Sequence, residues 1–92
     1  MKSIMQDKKQ CWICGSPNVE VHHVFYGRGL RELSEKYGCT VYLCPTHHRD
    51  RPLGVHFDHD MDRFIKRLTQ RKFEDLYGHG EFMRAFGRNY LE

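Results

Sequence analysis

Two short pairs of soft ligands frame the first half of the chain: Cys11-Trp12-Ile13-Cys14, followed by Gly15, and Cys44-Pro45-Thr46-His47. Together they supply four donors, the number tetrahedral zinc requires. With 92 residues, four Cys and seven His, the chain is short enough to bury only a modest share of its surface, so a metal staple would also answer a stability problem. The other reading of the pairs is free thiols in a small core. Cys39, five residues before Cys44 in an apolar run, reads as a packed thiol rather than a ligand.

Two histidine doublets accompany these pairs, His22-His23 and His47-His48. Neighbouring side chains on a strand point to opposite faces, so His22 and His23 converge only where the strand is irregular. Neighbours on a helix sit about 100° apart around the axis, so His47 can serve a zinc while His48 faces elsewhere. The pattern therefore offers a closed Cys3His site beside an open His site. A divalent ion at an open site can stabilise charge on a phosphate and its leaving oxygen. A neutral His nearby can take a proton from water, and Arg residues can hold flanking phosphates. The alternative is that these His are ordinary surface or core polar groups.

These residues need elements to position them. Residues 19–25 alternate well enough for a strand, and Tyr26-Gly27-Arg28-Gly29 breaks it. Leu30, Leu33 and Tyr37 fall at helical spacing, with Gly38 as a stop. Residues 39–43 are rich in β-branched and aromatic types and read as a second strand. Pro45 suits the first turn of a helix through His47, His48 and Arg49. From Asp58 or Asp60, either of which can cap, an apolar stripe of Met61, Phe64, Ile65, Leu68, Phe73, Leu76 and Tyr77 predicts a long helix. Glu81 to Phe86 adds a further helical turn. Residues 1–10 read as a flexible, charged lead-in, and residues 11–92 as a single domain. Its core covers about 11–51, and its helical extension about 58–90. Zinc would tie the start of the first strand to the end of the second and hold the hairpin against the short helix.

Composition limits the partners. Apolar residues make up 39% and mean hydropathy is −0.74; no run approaches the roughly 18 apolar residues of a membrane span. MKSIMQDKKQ has no apolar h-region, so no secretory signal is read and a reducing cytoplasm is expected. The 13% aromatic content argues against disorder. The charge is +3, from 15 Lys and Arg against 12 Asp and Glu, which permits nucleic acid without demanding it. Tyr26, Arg28 and Arg31 follow the first strand on a Gly-flanked loop that could grip phosphates. Arg63, Lys66, Arg67, Arg71 and Lys72 form either a phosphate-facing strip or a solvated helix face.

C-x2-C, a strand bearing His-His-Val, and Leu-Cys-x2-His-His-x2-Arg together resemble the HNH nucleases, the ββα-metal group with a zinc knuckle. The match covers residues 11 to 51, and Gly54-Val55-His56-Phe57 onward is similar to small phage-encoded members of that group. The resemblance implies an α+β, zinc-stabilised ββα-metal (treble-clef-like) domain with an additional C-terminal helix. It implies a DNA endonuclease acting in the cytoplasm, in the bacterial host if the chain is phage-encoded. Cys11, Cys14, Cys44 and His47 would bind structural zinc, with His47 in place of a fourth Cys. His23 would be the general base, and His22 and His48 would hold a catalytic Mg2+ or Mn2+. Arg51 stands where a Lys is common and would contact phosphate; Arg28, Arg31 and Lys66, from the loop and helix strip above, are the other candidate nucleic-acid contacts. A monomer would nick; double-strand cleavage would need a homodimer or a phage protein partner.

The chain departs from the group's pattern at its central Asn, which orients the catalytic His. That position falls near Cys39 or Thr40, so a backbone group or Thr40 would have to substitute. His56 stays open as a cation ligand, a DNA contact or a packed residue. His59 and His79 have no motif support and are expected to be solvent-exposed. The lost Asn leaves a rival of another class, a non-catalytic zinc-stapled module that binds DNA or protein.

Overall fold

A computed structural model of the chain describes residues 2–92, and Met1 lies outside them. Six elements follow in order: β1 (Glu20–His23), α1 (Leu30–Tyr37), β2 (Thr40–Leu43), α2 (Pro45–His48), α3 (His59–Tyr77) and α4 (His79–Phe86). The expected α+β order is present. β1 and β2 form an antiparallel two-stranded sheet, with His22 opposite Val41 and His23 opposite Thr40. The helical extension divides in two at Gly78, which closes α3 and opens α4.

Local chemistry sets the boundaries. The first strand ends earlier than its alternation suggests because Phe25 bonds to α1. The Phe25 N–H donates to Ser34 Oγ at 3.1 Å, and the same hydroxyl donates back to the Phe25 carbonyl at 2.6 Å. Ser34 is fully buried, so this exchange locks α1 onto the end of β1. Asp58, rather than Asp60, caps α3, accepting the Met61 N–H at 3.0 Å.

The core lies between the sheet and the C-terminal helices. Phe25, Phe73 and Phe82 are fully buried. Their rings meet edge-on, with Phe82 5.3 Å from both Phe25 and Phe73, an arrangement aromatic quadrupoles favour. Truncating one such ring typically costs about 3–5 kcal/mol. Trp12 packs on Phe64 at 6.5 Å, which anchors the first Cys pair to α3.

Residues 2–10 form no helix or strand, but Ser3, Ile4 and Gln6 bond to the chain around β2. They cover the outer edge of β2. Ser3 Oγ donates to the Thr40 carbonyl at 2.5 Å, Gln6 Oε1 accepts the Tyr42 N–H at 2.6 Å, and Ile4 N–H donates to the Gly38 carbonyl at 2.9 Å. Trp12 N–H completes the cover on the Tyr42 carbonyl at 2.8 Å. An unpaired strand edge needs such partners. Gly38 is part of the fit: it has a left-handed φ of 73°, and any Cβ there would run into the Lys2 carbonyl. Among the described residues, no helix is long and apolar enough to cross a membrane.

Candidate functional site

The fold gathers two groups of metal-capable side chains. In the first, a tight turn after Cys11 brings the C-x2-C pair round: Cys11 N–H donates to the Ser16 carbonyl, and Gly15 N–H to that of Cys11, both at 2.8 Å. Cys44 is the N-cap residue of α2, which places His47 one turn further on. The Sγ atoms of Cys14 and Cys44 lie 3.7 Å apart. His47 Nδ1 lies 3.2 Å from Cys44 Sγ and 3.9 Å from Cys11 Sγ. A tetrahedron with zinc–sulfur bonds of about 2.3 Å has sulfur–sulfur edges of about 3.8 Å and sulfur–nitrogen edges of about 3.6 Å. The Cys3His group therefore fits an ion such as zinc, with Nδ1 as the His47 donor. Burial alone would raise the Cys11 thiol, but backbone N–H groups at Cys44, Cys14 and Ile13 outweigh it and bring the pKa down to about 6. A thiolate there is ready to bind metal.

The second group is His22, His48 and His56, whose donor atoms lie within 4.8 Å of one another. His22 is 2% exposed, and its ring lies 5.2 Å from those of both His48 and His56. Its Nε2 is buried with no hydrogen-bond partner among the described residues. A buried nitrogen left unpaired is costly, and a cation shared with His48 and His56 would satisfy it. Burial first, then repulsion from His48, His56 and Lys66, pushes the His22 pKa down to about 3. The cover of its neighbours, and the charge of His48, also lower that of His56. Both rings are thereby kept neutral, as metal ligation demands.

The route by which His56 arrives was not legible in the sequence. After α2 the chain turns back on the helix's own carbonyls. Gly54 N–H donates to Asp50 at 2.7 Å, Val55 N–H to His47 at 2.9 Å and His56 N–H to His48 at 3.4 Å. A Cβ on Gly54 would lie 2.7 Å from the Asp50 carbonyl oxygen and 2.9 Å from Arg49 backbone atoms, so only glycine closes this return. The structure sets His56 beside His22 and His48, where its ring nitrogen joins a group able to hold a metal ion.

Two carboxylates that motif reasoning missed hold the other histidines. His48 Nδ1 donates to Glu20 Oε1 at 2.8 Å, which leaves Nε2 as the free donor atom. Glu20 is in turn gripped by Arg49, with Nε at 3.1 and 3.0 Å from the two carboxylate oxygens. The bond from His48, then that from Arg49, holds the Glu20 carboxyl below its usual range. Carboxylate–histidine pairs of this kind orient metal ligands. His23, pointing away from its neighbour, meets Glu35 Oε2 through Nε2 at 2.8 Å. Only a spatial signal could have found either pair, because the partners lie 28 and 12 residues apart.

His22, His23, His48 and His56 nevertheless line one open cleft of about 350 Å³, with Tyr26, Gly27 and Arg31. The two strand neighbours diverge, His22 joining His48 and His56 and His23 meeting Glu35, and the cleft reaches both. Arg31 is exposed on the cleft wall. Arg28 is exposed on the adjoining turn, and Arg51 is exposed and stacks on Phe57 at 4.5 Å. Lys66 is not the free cation expected of a phosphate contact. Its ammonium is bonded to Asp62 at 2.8 Å, with the side chain 15% exposed, and it lies over the Tyr26 ring at 4.3 Å. Cys39 is fully buried and its thiol is pushed up to about 12 by that burial. His59 and His79 are exposed, and His79 pairs with Glu74.

Comparison with known proteins finds no matching family model, no matching curated sequence and no matching solved structure.

Proposed function

We propose that the chain is a metal-dependent endonuclease of the HNH type, hydrolysing DNA phosphodiester bonds at the cleft shared by His22, His23, His48 and His56. The observation that carries this reading is the second histidine group. A staple alone needs only Cys11, Cys14, Cys44 and His47, yet three further imidazoles converge on an open cleft, one of them with a buried unpaired nitrogen. A divalent cation held there by His22, His48 and His56 would neutralise charge on the phosphate and the leaving oxygen.

The chain's own groups do the rest. His23 takes a proton from a water in the cleft as that water's oxygen bonds to phosphorus. The bond from phosphorus to the leaving oxygen breaks, and that oxygen gains a proton from solvent. Arg31, on the cleft wall, would pair with a non-bridging phosphate oxygen, and the exposed Arg28 and Arg51 would take neighbouring phosphates. Because one centre cuts one strand, a single copy should nick.

Incubation of the zinc-loaded protein with supercoiled plasmid and a divalent cation tests the reading. Relaxed circles are expected from the wild type, with a loss of about 100-fold or more in His23→Ala. Plasmid binding without nicking under any divalent cation would leave the non-catalytic zinc-stapled module as the better account.

A further inference from the structure

His23 and Glu35 form a pair that the metal centres do not use. The bond runs from Nε2 to Oε2 at 2.8 Å. A carboxylate only accepts, so Nε2 must carry the hydrogen, and in the neutral ring the lone pair then sits on Nδ1. Apart from Glu35, no group among the described residues bonds to this ring. The contact is also built to hold. α1 is fixed to the end of β1 by the buried two-way bond between Ser34 and Phe25, one residue before Glu35 and two after His23. Both partners line a groove with Gly27, Gly29, Arg31 and Glu32, and it meets the histidine cleft at His23, Gly27 and Arg31. Thr40 lies opposite His23 in the sheet, and its carbonyl accepts from Ser3.

We propose that Glu35 is the positioning residue for His23, fixing its Nε2–H tautomer and ring plane so that Nδ1 presents the basic lone pair to the cleft. This inference rests on the nuclease reading for its consequence in turnover, but not for its claim about the ring. Glu35 does the work of an orienting carboxylate behind a histidine base.

Two measurements on the full zinc-loaded chain test it. Nitrogen-15 NMR of His23, without a second cation, should show Nε2–H in the wild type and a mixture of tautomers in Glu35→Ala. In the nicking assay, Glu35→Ala should lower kcat by about 10-fold or more with KM nearly unchanged. Glu35→Gln, whose amide oxygen can still accept from Nε2, should recover most of that loss. Zinc content and Tm should match the wild type in both variants, which separates positioning from folding. An Nδ1–H tautomer in the wild type, or wild-type kcat in Glu35→Ala, would overturn the proposal. If the wild type nicks nothing, the nuclease reading fails, and the NMR result alone decides whether Glu35 sets the ring.

Discussion

His48 donates through Nδ1 to the Glu20 carboxylate at 2.8 Å, and Arg49, the next residue, clamps the same carboxylate from the other side. One acid on β1 thereby fixes a candidate cation ligand on α2. Removing it as Glu20→Ala frees the His48 ring to turn and to change tautomer. Affinity for Mn2+, measured by titration calorimetry on the zinc-loaded protein, should fall about 10- to 100-fold. Zinc content should not change, because His47 makes no contact with Glu20 among the described residues.

Three imidazole nitrogens suit Mn2+, Co2+ or Ni2+ better than Mg2+, which prefers oxygen donors and gives up water reluctantly. Nicking should therefore be faster with these ions than with Mg2+ at equal concentration. His56→Ala should raise the Mn2+ concentration needed for half-maximal rate while leaving the zinc bound. Equal rates with Mg2+ and Mn2+, unaffected by His56→Ala, would remove His56 from the ligand set.

His22 makes the fold sensitive to acid. Unfolded, its ring takes a proton near 6.5; folded, it resists until about 3. Between these values the unfolded chain binds more protons, so stability falls as pH drops through that window, by at most about 1.4 kcal/mol per pH unit from this group. Urea unfolding of the cation-free second site at several pH values should show that slope, and His22→Phe should flatten it. An unchanged slope would mean that His22 is not the buried neutral group described.

Cys44 belongs to the Cys3His group and also starts the helix that carries His47 and His48. Cys44→Ser should abolish one-to-one zinc content in elemental analysis. It should lower Tm by at least about 10 °C, since binding energy at a structural zinc is folding energy. Chelation of the wild type should reproduce the loss, and restoring zinc should reverse it.

The parts of this molecule that follow short spacings were legible in the sequence. C-x2-C and C-x2-H gave the four members of the Cys3His group, and α1 spans the residues its periodicity marks. What escaped depends on contacts made across long stretches of chain. Residues 2–10 looked loose because their bonds go to the β2 edge, which exists only once the hairpin has formed. Lys66 is an exception: Asp62 stands four residues before it on α3, the spacing of a helical ion pair, so this partner was legible at short range. Glu20 and Glu35 belong to no motif, because the histidines they pair with come from other elements. His56 was left undecided because its return depends on what fits at Gly54, which side-chain periodicity does not record.

His47 and His48 stand side by side on a helix of four residues, one turned to the Cys group and the other to the His group. A single peptide link therefore serves as the shared crossbar of two groups able to hold a metal ion. The helix cannot be rotated, lengthened or shifted to re-aim one imidazole without dragging the other off its partners. Any redesign of the cleft through α2 must be judged first by whether it leaves the spacing of the Cys3His group intact.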